Sequence, residues 1–237
     1  MPEMTLGGID IEVVQKNIKN VHLSVLPPEG QVRVSAPLHI DQETLRAYII
    51  TKLPWIRKQQ QKLQAQVRET PRDMVGGESH YFNGQRYLLE IVERDSPPEV
   101  DLGHHTITLS VRPGTDPDKR LAILREWYRA KLKERLPPII EHYEKLMGVK
   151  VAEFGVKQMK TKWGTCNPAA GRIWVNLELA KKPASCLEYI VLHEMVHLLE
   201  PSHNKRFKSL MEQYMPNWRG YRDELNSLPV RYEDWGY

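Results

Sequence analysis

The stretch Ile190-Val191-Leu192-His193-Glu194-Met195-Val196-His197-Leu198-Leu199 holds the pattern H-E-x-x-H among apolar residues. Residues four apart on an α-helix lie about 40° apart around its axis, so both imidazoles project from one face and can share a metal ion. Glu194 is rotated by about 100° from His193, which places its carboxylate to accept a proton from water at that metal. Burying such side chains in an apolar helix is costly without a purpose. The alternative interpretation is a pair of core histidines satisfied by hydrogen bonds.

A helix is predicted over residues 184–199, and it ends where Pro201 disfavours helical backbone at the preceding residue. A second helix is predicted over residues 202–214, with Ser202 as its cap, so the chain turns back at His203.

His203 follows His197 by six residues. This spacing supplies the third ligand in zincins with H-E-x-x-H-x-x-G-x-x-H, although Glu200 stands here at the glycine position. Glu212 and Glu224 are the alternative carboxylate ligands, and a surface histidine without a ligand role is the other interpretation of His203. Three neutral histidines leave one position open, which is typical of a catalytic zinc. We therefore expect His193, His197 and His203 to hold one zinc ion per chain.

A second informative stretch lies upstream, Lys160-Thr161-Lys162-Trp163-Gly164-Thr165-Cys166, followed by Ile173-Trp174-Val175-Asn176. Strands are predicted over 151–160 and 172–177. Gly164 permits close approach of a ligand or another chain, or it packs beneath Trp163. Asn176 either donates to a developing oxyanion or ends a strand. Cys166 is interpreted as a small buried residue, with a metal-ligand or nucleophile role as the alternative.

The charges of this region are uneven. Six basic residues and one acidic residue lie between Lys157 and Lys182, although the whole chain carries only +4. Such a cluster is either a solvated face or a rim that attracts phosphate or another anion. We take Lys160, Lys162, Trp163, Gly164 and Asn176 as possible substrate-binding residues.

The chain resembles the YgjP-like metal-dependent hydrolases, relatives of the SprT-like and zincin metallopeptidases. The resemblance rests on Trp163-Gly164-Thr165-Cys166, Asn176, the H-E-x-x-H segment, and His203 with Phe207 four residues later. Thr165 stands where the family usually has serine and keeps the hydroxyl.

The resemblance implies an α+β fold with a zincin-like core, in which a small sheet packs against the metal helix. It also implies a hydrolase that acts on peptides, with Glu194 as the acid–base residue. The family carries a UTP pyrophosphatase designation as well, so a nucleoside triphosphate is the alternative substrate. A non-enzymatic module associated with nucleic acid is the third hypothesis, since SprT-like relatives act near DNA.

The rest of the chain predicts a β-rich N-terminal region with a helical segment. Strands are expected over 9–14, 21–25, 32–34, 86–93 and 106–111 from alternating apolar and polar residues. Asp41 and Asp116 are predicted helix caps. Pro54 is expected to interrupt the first helix or to open a second one, and Pro137-Pro138 is expected to bend or break the helix that follows Asp116. We place the domain boundary at 113–117, giving an N-terminal region over 1–115 and a catalytic domain over 116–237, with no internal repeat.

Composition excludes several classes of protein. Of the 237 residues, 41% are hydrophobic and 27% charged, which is typical of a globular chain and too apolar for a disordered one. No apolar run approaches the roughly 18 residues that span a bilayer, and the N-terminus lacks the features of a secretory signal. Two cysteines cannot form a disulfide framework. We therefore expect a cytoplasmic protein without a membrane partner, and no pattern in the sequence specifies its oligomeric state.

Overall fold

The computed structural model describes residues 3–26, 30–65, 72–160 and 162–228. These residues form helices and three small sheets, which confirms the predicted α+β class, and they divide into two compact units. The first unit contains β1 (Glu3–Leu6), β2 (Ile9–Lys16), β3 (His22–Leu26), β4 (Gln31–Pro37) and α1 (Gln42–Ala65). None of the helices described is both long and apolar enough to cross a membrane.

The first unit is a four-stranded sheet covered by one helix. Its strand order is β1-β2-β4-β3, with β2 parallel to β4 and the other pairs antiparallel. Alternate side chains of β2 and β4, including Ile11 and Val34, are buried with Ile49 and Ile56 of α1. Asp41 caps α1 as predicted, because its Oδ1 accepts a hydrogen bond of 2.8 Å from the Thr44 backbone N–H.

The second unit begins with the same arrangement of elements. It contains β5 (Ser79–Phe82), β6 (Gln85–Glu93), β7 (Glu99–Leu102), β8 (Thr106–Val111) and α2 (Pro117–Met147). The strand order is β5-β6-β8-β7, again with the central pair parallel and the outer pairs antiparallel. Asp116 caps α2, just as Asp41 caps α1. The expectation of no internal repeat is therefore wrong at the level of topology, because the strand order and the pairing directions recur in the two units.

The predicted domain boundary at 113–117 falls inside the second unit. Side chains on both sides of it, such as Leu109 of β8 and Leu124 and Leu132 of α2, are buried in one hydrophobic cluster. The Pro113-Gly114 turn that suggested the boundary only connects β8 to its own covering helix. The described residues divide instead between α1 and β5.

Both long helices run through their internal prolines. α1 includes Pro54, and α2 includes Pro137 and Pro138. An internal proline costs a helix about 3 kcal/mol, but α2 buries Leu132, Leu136 and Ile140 on one face around the proline pair. Burial of each such side chain contributes about 1.5–3 kcal/mol, so packing outweighs the local preference. The predicted break at Pro137-Pro138 is therefore wrong, and Pro54 neither interrupts α1 nor begins a second helix.

The remaining part of the second unit follows α2. It contains β9 (Glu153–Lys157), β10 (Gly164–Asn167), the 3-10 helix Pro168–Ala170, β11 (Arg172–Asn176), the 3-10 helix Leu177–Lys181, α3 (Ala184–Val196), α4 (Lys205–Tyr214) and α5 (Trp218–Ser227). The sheet order is β10-β11-β9, with β10 antiparallel and β9 parallel to β11. The strand predicted over 151–160 therefore ends at Lys157, and Lys160 and Lys162 lie in the loop before β10. α3 packs against β10, β11 and α2.

Candidate active site

The helix α3 carries the H-E-x-x-H segment through the centre of the second unit. Its side chains are mostly buried, including Leu187, Val191 and Met195, which lose all solvent contact. The helix ends in a tight turn, where the backbone N–H groups of Leu198 and Leu199 bond to carbonyls three residues earlier. The turn brings the following chain back over the face of α3 that bears the histidines.

The structure brings the three predicted ligands together. Nε2 of His203 lies 2.9 Å from Nε2 of His193, and one ligand nitrogen from each of the three histidines lies within 4.8 Å of the others. His193 lies in α3, His197 is the residue that caps the C-terminal end of α3, and His203 comes from the loop before α4. No other group of three or more candidate ligands occurs among the residues that the structure describes.

Burial and hydrogen bonding prepare these imidazoles to act as ligands. His197 Nδ1 lies 3.1 Å from the backbone carbonyl of Glu200, so an N–H at Nδ1 donates there and leaves Nε2 with its lone pair. Burial, together with the neighbouring imidazoles, lowers the pKa of His193 to about 3, so this ring is neutral at physiological pH. Burial also lowers the pKa of His197. Neutral imidazoles are the form that binds a metal ion.

Phe207 forms the apolar floor of the histidine cluster. The centroid of its ring lies 5.0, 4.8 and 4.7 Å from those of His193, His197 and His203, and its side chain is buried. Phe207 is placed by the first turn of α4, where Asn204 Oδ1 accepts a hydrogen bond of 3.0 Å from the Phe207 backbone N–H. Asn204, rather than the predicted Ser202, is therefore the cap of this helix.

Glu194 lies beside β10, with its side chain 5% exposed. Burial raises the pKa of this carboxyl to about 7, and the nearby Lys162 ammonium opposes the rise. A Cβ atom at Gly164 would lie 2.6 Å from Glu194 Oε1 and 2.7 Å from its Cγ. Gly164 is therefore required because the glutamate, rather than a ligand or a tryptophan, occupies the space above the strand.

β10 is an outer strand of its sheet, and its face at Gly164 lies against Glu194. Within the described residues β10 pairs only with β11. The Asn176 N–H donates to the Trp163 carbonyl, so the backbone of Trp163 is directed at β11. In an antiparallel pair, every second residue of a strand directs its backbone N–H and C=O at the partner strand. The backbone groups of Gly164 and Cys166 therefore point away from β11. Cys166 is a free thiol whose pKa is raised to about 11 by burial and by Glu194.

A cavity of about 500 Å³ joins these features. It is lined by the three histidines and Glu194, by β10, and by residues of α3 and α5. Lys162, Trp163 and Gly164, three of the predicted substrate-binding residues, line it as well. Tyr189 and Arg222 also line the cavity and were not identified from the sequence. The spacing of Tyr189, four residues before His193, is the local signal that points to it.

Two predicted residues lie elsewhere. Lys160 is exposed on the preceding loop and does not line the cavity. Asn176 is buried, and its Nδ2 donates hydrogen bonds of 2.9 and 2.7 Å to the carbonyls of Met159 and Lys162. Its Oδ1 accepts from the backbone N–H of Glu178 at 3.2 Å. Asn176 therefore fastens the loop before β10 to the end of β11, and its carboxamide is not directed at a substrate.

The alternative ligands are engaged by other groups. Glu212 accepts hydrogen bonds from Trp218 Nε1 and Arg219, and Glu224 accepts one from Ser185 Oγ at 3.2 Å. Neither carboxylate belongs to the histidine cluster.

The donor set fits zinc. Three imidazole nitrogens suit this ion, and tetrahedral Zn–N bonds of about 2.0–2.1 Å place nitrogens roughly 3.3 Å apart. The 2.9 Å between the Nε2 atoms of His193 and His203 is close to that spacing. Three protein ligands also match a catalytic zinc, which keeps one position open.

A buried carboxylate beside three converging histidines, on a helix packed against a small sheet, defines a metal-dependent hydrolase. The model of the YgjP-like, metallopeptidase domain matches residues 19–228, and the chain belongs to this family. Among solved structures, the metallopeptidase zymogen abylysin of Pyrococcus abyssi shares 18% identity with it, covering 37% of this chain and 89% of that one, with a TM-score of 0.35. No protein with a curated description matches the chain.

Proposed function

We propose that the protein is a zinc-dependent metallopeptidase that binds one zinc ion per chain through His193, His197 and His203. The observation that carries the proposal is that buried Glu194 packs on the face of β10, a strand whose outer edge has no strand partner within the described residues. Unpaired backbone groups at a sheet edge bind an extended peptide by adding it as a strand. Gly164 and Cys166 supply such groups next to the histidines, so a peptide bound there would pass over Glu194.

Each residue of the site has a distinct task in this reaction. Zinc, when bound, polarises the peptide carbonyl and makes water more acidic. Glu194 accepts a proton from the attacking water and passes it to the leaving nitrogen, which is general base and then general acid catalysis. Burial keeps the pKa of Glu194 at about 7, so the carboxyl exchanges protons readily at neutral pH. Phe207 excludes water from the back of the histidine cluster.

Glu194→Gln tests the proposal, because glutamine keeps the size of the side chain but cannot accept the proton. We expect zinc content to stay at one per chain and peptide hydrolysis to fall by at least about 100-fold. Zinc is measured by elemental analysis and turnover with casein and a peptide library. Ser202→Ala, on the loop outside the cavity, is the matched control and is expected to keep both properties. Unchanged turnover in Glu194→Gln would contradict the assignment.

Hydrolysis of a nucleoside triphosphate is the second candidate, and one observation favours it. Lys162 and Arg222 both line the cavity, whereas Glu194 is the one carboxylate from the described part of the chain that does. A cationic rim attracts phosphate groups, so Lys162→Ala should raise KM for UTP and leave KM for a neutral peptide unchanged. Turnover of UTP without any peptide hydrolysis would favour this candidate over the peptidase.

The nucleic-acid hypothesis has less support. Trp218 is buried, and the ring of Trp174 lies under the Lys157 ammonium, 3.8 Å from its centroid, rather than being free to stack on a base. Filter binding across a salt series would test it, since phosphate contacts produce a steep salt dependence. Both cysteines are free thiols, which is consistent with the cytoplasmic location that we propose.

A further inference from the structure

Two hydrogen-bond donors from different helices meet in the cavity beside the histidines. Tyr189 of α3 and Arg222 of α5 both line it. Tyr189 precedes His193 by four residues, so it projects from the same face of α3. The rings of Tyr189 and His193 meet edge-on, with centroids 5.9 Å apart. Tyr189 is therefore next to the histidine cluster, although it is not a ligand in it.

Trp218 holds both donors in place. The rings of Tyr189 and Trp218 are nearly parallel, at 10° with centroids 6.5 Å apart. The guanidinium carbon of Arg222 lies 5.3 Å from the centroid of the Trp218 ring. Trp218 is itself buried, and its Nε1 donates a hydrogen bond of 3.1 Å to Glu212. A fixed aromatic ring thus orders the two donors before a ligand binds.

Both donors retain unused hydrogen-bonding capacity. No hydrogen bond joins the Tyr189 hydroxyl to any other residue of the described chain, although the side chain is only 5% exposed. Arg222 directs Nε and Nη2 to Asp223 Oδ1 at 2.9 and 2.8 Å, and a guanidinium carries five N–H groups, so three are left. The buried Tyr189 hydroxyl gains most from an acceptor, because leaving it unpaired is costly, whereas the half-exposed Arg222 guanidinium contributes a positive charge.

We propose that Tyr189 and Arg222 form a subsite for a carboxylate of the peptide substrate, which makes the enzyme selective for peptides with a free carboxylate near the cleaved bond. A phenol and a guanidinium together offer the planar set of donors that a carboxylate accepts. The carboxylate belongs either to the C-terminus of the peptide or to an Asp or Glu side chain. The inference rests on the proposed peptidase function.

The test compares matched peptides that differ only in charge. One pair is an alanine-rich hexapeptide with a free or an amidated C-terminus, and the other is the amidated hexapeptide with Glu or Gln at successive positions. A hydrogen bond to a charged group contributes about 1.5–3 kcal/mol, which is roughly 10- to 150-fold in kcat/KM. We expect kcat/KM of the wild type to be at least about 10-fold higher for the charged member of one pair than for its neutral counterpart. The pair that shows this preference identifies the source of the carboxylate.

The variants locate the preference in the proposed subsite. Arg222→Gln and Tyr189→Phe are expected to reduce it, and the double variant to remove it, with zinc content unchanged and the amidated peptide cleaved at nearly the wild-type rate. Arg219→Gln is the matched control, because Arg219 stacks on the same tryptophan at 4.7 Å but does not line the cavity. Equal rates on charged and neutral peptides, or a preference that survives in the double variant, would overturn the inference.

A binding measurement separates this inference from the proposed function. In Glu194→Gln, calorimetry with the same peptides should show the same preference in Kd, and the Arg222→Gln and Tyr189→Phe substitutions together in that background should abolish it. If the wild type cleaves no peptide but binding still favours the carboxylate, the peptidase proposal fails and the subsite stands. If peptides are cleaved but Kd does not depend on the carboxylate, the subsite fails and the peptidase stands.

Discussion

Gly164→Ala places one methyl group between β10 and the glutamate of the active site. The added Cβ would lie 2.6 Å from Glu194 Oε1, whereas an ordinary contact is at least 3.4 Å. The carboxylate must therefore move by about 0.8 Å, the difference between the two distances. A displacement of about 1 Å costs on the order of 100-fold in rate, so we expect kcat to fall by about 30- to 100-fold.

The zinc content of Gly164→Ala is expected to stay at one per chain, because the three atoms nearest to the added Cβ all belong to Glu194 and none to a histidine. The assay is steady-state peptide hydrolysis with zinc analysis of the same preparation. Gly220→Ala is the control, since a Cβ there meets nothing within 4 Å and alanine favours the helix.

A double-mutant cycle distinguishes displacement of Glu194 from general damage to β10. Glu194→Ala removes Oε1, Cγ and Cδ, the three atoms nearest to the added Cβ, and so removes the collision. The residual turnover of the double variant Gly164→Ala/Glu194→Ala should therefore be no lower than that of Glu194→Ala alone, giving a large coupling between the two sites. Additive losses, or wild-type kcat in Gly164→Ala, would refute the reasoning.

Three further predictions concern the surroundings of the site. Phe207→Ala is expected to lower the free energy of unfolding by about 3–5 kcal/mol and to weaken zinc binding, and Phe207→Leu is expected to lose less of both. Denaturant titrations measure the stability, and equal stability of the wild type and the two variants would contradict the packing account. Asn176→Ala is expected to cost about 1–3 kcal/mol of stability, because buried backbone groups lose their partner, whereas an oxyanion role would lower kcat without loss of stability. Burial lowers the pKa of His80 below its ordinary value of 6.5. The unfolded chain therefore binds a proton at this residue more readily than the folded chain does, and the folded state loses stability as pH falls below 6.5. The wild type should therefore lose more stability than His80→Gln between about pH 7.5 and pH 5, and parallel profiles would count against this explanation.

The features that could be predicted from the sequence are those that depend on residues close to one another in the chain. The spacing of His193, Glu194 and His197 in an apolar segment predicted one helix face, and the six-residue step to His203 predicted the loop that returns to it. The strand over 106–111 and the cap Asp116 were predicted for the same reason, because alternation and capping act between near neighbours.

Features that depend on tertiary contacts were not predictable in this way. Arg222 reaches the cavity because α5 packs on α3, and nothing in the residues around it indicates that contact. The prolines of α2 suggested a break because their local cost is visible in a sequence, whereas the packing that outweighs it is not. The boundary at 113–117 was misplaced for a similar reason, since a turn between two domains has the same residues as a turn within one.

Anomalous diffraction at the zinc edge, from crystals of the wild-type protein, tests the central claim most directly. The account predicts one zinc ion per chain, bound by nitrogens of His193, His197 and His203 at about 2.0–2.1 Å, with the Glu194 carboxylate nearby but not coordinated. A zinc ion bound through Cys166 at about 2.3 Å, or located outside the histidine cluster, would contradict it.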